Sequence, residues 1–232
     1  MTLDIRTIVV LLILSSLLMS LTLAVGLHRA RGLGTGRWIG GLMLITAGWA
    51  LIAARGTLPQ IATHALAGSA LVAGLYLHTS AVLEFDGKAR TGWLSWLAGP
   101  LTFVSIAPLQ GNYPAYTLAI SSLLAAALAG TGACALRGGL RDPTRWILAG
   151  QYCAAALMLL ARAAVVITQP ATHPGVFASD PLQSATFALL FVATVGGVIR
   201  LPHDAAGSLR ERHPRSRHVG PADRPAQSPR IL

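Results

Sequence analysis

The chain has 232 residues, of which 53% are hydrophobic and only 11% charged, with a formal net charge of +10 and a mean hydropathy of +0.60. About a quarter of the residues in a soluble domain are charged, so this composition excludes an ordinary soluble protein and points to an integral membrane one. The positive charge lies between apolar runs and in the C-terminal tail, with no aromatic-studded basic surface, so the expected partner is the lipid bilayer and not nucleic acid.

The first apolar run extends from about Ile8 to Leu27. That length matches the roughly 20 residues needed to cross a bilayer and exceeds the roughly 7 to 15 of a signal-peptide core, so a retained span is expected. Further spans are expected at Trp38 to Ala54, Ile61 to Val82, Trp93 to Ala107, Tyr116 to Leu136, Trp146 to Ile167 and Leu182 to Ile199. The fourth is short and holds Pro100, with Pro108 at its end. The expected fold class is all-α and integral to the membrane, with about seven transmembrane helices in one domain over residues 1–200, followed by a tail over 201–232.

The connections alternate in charge. Arg29, Arg31 and Arg37 follow the first span, Lys88 and Arg90 the third, and Arg137, Arg141 and Arg145 the fifth. These loops are expected in the cytoplasm. The others hold Arg55 after the second span and no Lys or Arg after the fourth or sixth, which sets the N-terminus outside and the C-terminus inside. Trp38, Trp93 and Trp146 each open a run beside a predicted cytoplasmic loop, where an indole suits the headgroup layer.

Arg162 is the charged residue set well inside a predicted span, a default functional signal in a membrane. Counting about 1.5 Å per residue from Trp146 puts it roughly 24 Å along its helix, near the outer end of the core and within snorkelling reach of the headgroups. Arg55, His64, His173 and Asp180 fall at the same face in this topology. With Arg162 they form the candidate signal-sensing set, a shallow polar pocket for an external anionic ligand. The bland reading of the same residues is interfacial anchors and loop polars.

His78, followed by Glu84 and Asp86, lacks the paired ligand spacing of a metal site, so no metal is expected. No phosphate-binding loop, GxSxG or HExxH occurs, so no catalytic residue and no cofactor are expected. Cys134 and Cys153 sit inside apolar runs as small packing residues. The stretches LAGTGACALRGGL and LLAAALAG permit close helix approach, within the chain or in a homodimer.

Three stretches carry a resemblance: LDIRT at the first span, RWIGGLMLITAGWALIAARGTLP across the second, and ASDPLQSATFALLFVATVGGVI in the last. They resemble the polytopic N-terminal sensor regions of bacterial diguanylate cyclases, the GGDEF-domain proteins, over roughly Leu3 to Ile199. The resemblance implies a bacterial inner-membrane location and a last span that continues into a cytoplasmic catalytic domain opening with a sequence like DPLTGLPNRRAF. This chain departs from that pattern after Ile199, and its Gly-Gly pairs are each followed by an apolar residue.

The tail reads HVGPADRPAQSPRIL from His218 to Leu232. Codons read one base forward through it are compatible with MSDPLTGLPNRRAF, because the second and third bases of each residue join the first base of the next. The tail is therefore expected to be a frameshifted remnant of a diguanylate cyclase gene. With seven arginines against three acids between Arg200 and Leu232, and many prolines, it is also expected to be disordered and able to touch anionic headgroups.

The function expected from this sequence is a membrane-embedded signal-input module of diguanylate cyclase type, responding to an external ligand and lacking cyclase output in this chain, so not an enzyme as translated. The alternatives are a stand-alone small transporter or channel, which would favour polar midplane groups and related halves, or a membrane scaffold.

Overall fold

The computed structural model describes residues 5–26, 34–87, 92–137, 143–168 and 184–192. Six main helices run in chain order: α1 (Ile5–Gly26), α2 (Thr35–Ala53), α3 (Ala67–Phe85), α4 (Gly92–Ile106), α5 (Tyr113–Arg137) and α6 (Pro143–Thr168). A π-helical turn, Ala62–Leu66, leads into α3, and a 3-10 turn, Ala107–Leu109, closes α4. A further helical stretch, 184–192, is labelled α7. No strand occurs among the described residues.

Helices are what an apolar chain must form where water is scarce, since they satisfy every backbone polar group within one segment. The hydroxyls follow the same rule. Ser20, Thr46, Ser69 and Thr131 are buried, and each donates to the carbonyl four residues back in its own helix. Large apolar side chains face outward, among them Leu18, Val25, Leu101 and Val104, the inverse of a water-soluble surface.

Among the described residues, five helical segments are long and apolar enough to cross a membrane: Arg6–Val25, Thr35–Ala53, Ala62–Phe85, Tyr113–Arg137 and Arg145–Thr168. The expected fourth span is the shorter helix α4. Its 15 residues and the 3-residue turn after it rise roughly 28 Å together, close to the hydrocarbon thickness of about 30 Å. It runs antiparallel to α3: Trp96 lies beside Arg37 and Glu84 at one end, and Ile106 presses on Gly68 at the other. The expected seventh span is described only over 184–192. Residues 201–232, with the proposed frameshifted tail, lie outside the described residues.

Successive helices α1 to α6 reverse direction, which sorts their termini into two ends. At the Arg145 end, Arg145 Nη2 meets Asp86 Oδ1 at 2.8 Å while Nη1 donates to the Ala135 carbonyl at 3.2 Å, tying α6 to α3 and α5. Arg37 Nε reaches Glu84 Oε2 at 3.3 Å and links α2 to α3. The middle of the bundle packs Leu12, Ile45, Trp49, Leu75, Leu128 and Leu159. The opposite, Arg55 end closes over Ala65, Val72, Ile106, Tyr116 and Ile120.

Helices α2 and α3 approach closely. A Cβ on Gly74 would stand 2.7 Å from the Gly41 carbonyl oxygen, and one on Gly41 would stand 2.7 Å from the Gly74 carbonyl oxygen. Only paired glycines let the two backbones touch there. Gly132, in the small-residue stretch of α5, packs against Ala149 and Cys153 of α6, so part of that stretch serves contacts within the chain.

Trp38 does not present its indole to the outside of the bundle, as an interfacial anchor would: it is 1% exposed and stacks on His78, ring centroids 4.2 Å apart, because Gly41 opens a groove where the imidazole fits. Trp146 is half exposed at the start of α6, as an interfacial indole would be, and the Trp93 side chain lies outside the described residues.

Candidate functional site

The turn from α2 to α3 positions the first functional side chain. The Thr57 and Leu58 amides both return to the Ala54 carbonyl at 3.2 Å, and the chain reverses through Gly56 at φ +92°. This fixes Arg55 at the rim of the bundle, where it is partly buried. Opposite, Asn112 starts α5: its Oδ1 accepts the Ala115 N–H at 3.2 Å, an N-cap that sets the helical register of everything after it. In that register Tyr113, Thr117 and Ser121 recur every four residues and share a face.

A cavity of about 50 Å³ lies between these elements. Arg55, Tyr116, Thr117, Ser121 and Arg162 supply its polar lining. Trp49, Leu71, Leu124 and Leu159 supply apolar walls, and Thr186, Phe187 and Leu190 of α7 close it. Phe187 meets Trp49 edge to face at 5.3 Å, so the last described helix is part of the cavity wall.

The electrostatics are one-sided. Burial lowers the pKa of Arg55, Tyr116 and Tyr113 oppose that, and the charge of Arg162 adds to the lowering. The guanidinium still stays charged at neutral pH. The Nε of Arg55 and the Nε of Arg162 are buried without a hydrogen-bond partner, as are Tyr113 Oη, Thr117 Oγ1 and Ser121 Oγ. Thr117 is 1% exposed and Ser121 0%, yet neither bonds back to its own helix as the other buried hydroxyls named above do. Buried polar groups left in this state are costly, so an arrangement of several around one cavity is suited to an acceptor-rich occupant.

The sequence-predicted residues separate into three groups. Arg55 and Arg162 line the same cavity. His64 does not line it but stands behind Tyr116, with ring centroids 5.1 Å apart, and its carbonyl accepts the Tyr116 hydroxyl at 3.1 Å. His64 Nδ1–H donates to the Gln60 carbonyl at 3.1 Å, within the π-helical turn, so this residue positions Tyr116 and leaves Nε2 as an acceptor in the neutral ring. His173 and Asp180 lie outside the described residues. Sequence reasoning missed Tyr116, Thr117 and Ser121, although the four-residue polar spacing in YPAYTLAISS is the signal that could have found the two hydroxyls.

His78 occupies a different position. It is 2% exposed and lines a second, apolar cavity of about 40 Å³, reached across Trp49, Leu71, Leu124 and Leu190 from the first. Neither of its ring nitrogens has a hydrogen-bond partner among the described residues. No group of three or more His, Cys, Asp or Glu capable of holding a metal occurs among the described residues. No family model, curated protein or solved structure matches the chain.

Proposed function

We propose that this chain is the signal-input module of a membrane sensor of the diguanylate cyclase type. In this reading the Arg145 end faces the cytoplasm of a bacterial inner membrane and the Arg55 end faces outward. The observation that carries it is the cavity between α2, α5 and α6, whose wall includes Thr186, Phe187 and Leu190 of α7. An occupant there touches, in one step, the fixed bundle and the helix that in the resembled family leads to the output domain. Ligand binding shifts such an equilibrium only through contacts that differ between states, and a shared wall supplies them.

In this reading the contribution of the described helices is recognition of the signal. The tail after Ile199 is read as a frameshifted remnant of the parent gene. Resequencing through about a kilobase past the stop tests that separately: a forward frame continuing into a GGDEF-like domain supports it, and a frame that closes at once removes it.

The functional test fuses residues 1–199 to an intact diguanylate cyclase catalytic domain in cells. Output that changes with external conditions, and stops changing in Arg162→Ala, is the expected result. Output indifferent to both would end the sensor reading. The transporter alternative rests on the second cavity beside His78, in line with the first along the bundle. Solute flux into proteoliposomes by the unfused chain would favour it.

A further inference from the structure

We propose that the cavity at the Arg55 end binds a small oxyanion or short-chain carboxylate, held between the guanidinium groups of Arg55 and Arg162 and the hydroxyls of Thr117 and Ser121. This inference rests on the reading of the cavity as an effector site, and names what the effector is.

Charge gives the sign of the ligand. Two guanidinium groups line one cavity, and each has a buried Nε without a partner. The described carboxylates, Glu84 and Asp86, lie at the opposite end of the bundle, against Arg37 and Arg145. Among the described residues, therefore, no carboxylate balances Arg55 and Arg162 from within. Guanidinium forks match the two oxygens of a carboxylate or the planar face of an oxyanion, which favours those over a spherical ion.

The hydroxyls give the direction of the donors. A serine or threonine buried in a helix ordinarily donates to the carbonyl one turn back, as Thr131 does on this same helix at 2.9 Å. Thr117 and Ser121 forgo that bond while fully buried on the cavity wall. A hydroxyl held off its own backbone is available to an acceptor in the cavity.

Volume sets the size. A water needs roughly 10 to 15 Å³ of such space, so a cavity of about 50 Å³ admits on the order of four heavy atoms. Acetate and nitrate fit, whereas benzoate and gluconate do not. The apolar walls of Trp49, Leu71 and Leu159 suit the methyl group of acetate and exclude bulk water.

The test uses the full-length chain in lipid-free non-ionic detergent with gluconate as the background anion, titrated calorimetrically with acetate and with nitrate. Saturable binding of both, none of benzoate, and affinity at least about tenfold weaker in Arg55→Gln and in Arg162→Gln are expected. Thr117→Val and Ser121→Ala separate ligand contact from folding. Each removes a buried unpaired hydroxyl, so the empty protein should be as stable or more so while acetate binds about fivefold more weakly. The proposal is overturned by no binding, by affinities unchanged in both arginine variants, or by binding that requires added phosphatidylglycerol, which would make the occupant a lipid headgroup. It is likewise overturned if acetate binds only once Asp180→Asn is made, since the chain would then supply its own carboxylate. A fusion that responds to external conditions without acetate binding would sink this inference and spare the sensor reading, and acetate binding with a silent fusion would do the reverse.

Discussion

His78 and Trp38 illustrate what single residues decide in this bundle. Both are nearly fully buried, and they stack 4.2 Å apart over Gly41. Trp38→Ala should cost about 3 to 5 kcal/mol, because the cavity it leaves is flanked by backbone that cannot collapse. Denaturant unfolding in detergent measures it. The ion pair of Arg145 with Asp86 is mostly buried, and Arg145 also holds the Ala135 carbonyl. Arg145→Met should therefore destabilise by roughly 2 kcal/mol, between the values typical of exposed and of deeply buried pairs. Arg55 behaves differently. Its pKa is lowered by burial, yet it stays protonated in both folded and unfolded states at ordinary pH, so its burial cost is constant with pH and is relieved by an anion. Stability gained on adding acetate should accordingly be flat between about pH 7 and 9, where neither the guanidinium nor acetate titrates. At this scale the sequence was only partly legible. Arg55 and Arg162 stood out as charges near or within apolar runs, whereas Thr117 and Ser121 were marked only by their four-residue spacing, because a hydroxyl in an apolar helix normally bonds to its own backbone.

Elements are joined here by small residues more than by specific side-chain pairs. Gly41 and Gly74 bring the α2 and α3 backbones into contact, and a methyl group on Gly74 would meet carbonyl oxygen and backbone nitrogen as well as a side chain. Backbone has little room to give, so Gly74→Ala should destabilise by about 1 to 3 kcal/mol and separate α2 from α3, measurable as a lowered unfolding midpoint. The helices themselves were legible from run length, since a spanning segment is a compositional feature. Their mutual faces were not, because a run that is apolar on every side has no stripe to read. The misplacement of Trp38 follows from this. An indole at the start of a run fits a headgroup layer or a groove between helices equally well, and only the glycine at Gly41 together with His78 on α3 selects the groove. The shortness of α4 was visible in the sequence, but its reach along α3 depends on the 3-10 turn after it.

The whole molecule has two chemically distinct ends. One is cross-linked by Arg145 with Asp86 and by Arg37 with Glu84, and the other carries two guanidinium groups around a cavity, with no carboxylate against them among the described residues. Charge alternation between runs is in keeping with this division, because the five reversals of direction from α1 to α6 send odd and even connections to opposite ends. If the Arg145 end is cytoplasmic, Thr57→Cys should react with a membrane-impermeant maleimide from outside intact spheroplasts and Gly36→Cys should react only after lysis, with Cys134 and Cys153 replaced by Ala. On the proposed reading, an anion in the cavity moves the helix that closes it. The direct measurement is a pulsed electron-spin distance between labels at Thr57, on the turn after α2, and Ala185, on α7, with and without acetate. A shift on the order of 1 to 2 Å on adding acetate, absent in Arg162→Gln, is the predicted result. An unchanged distance at saturating acetate would contradict it.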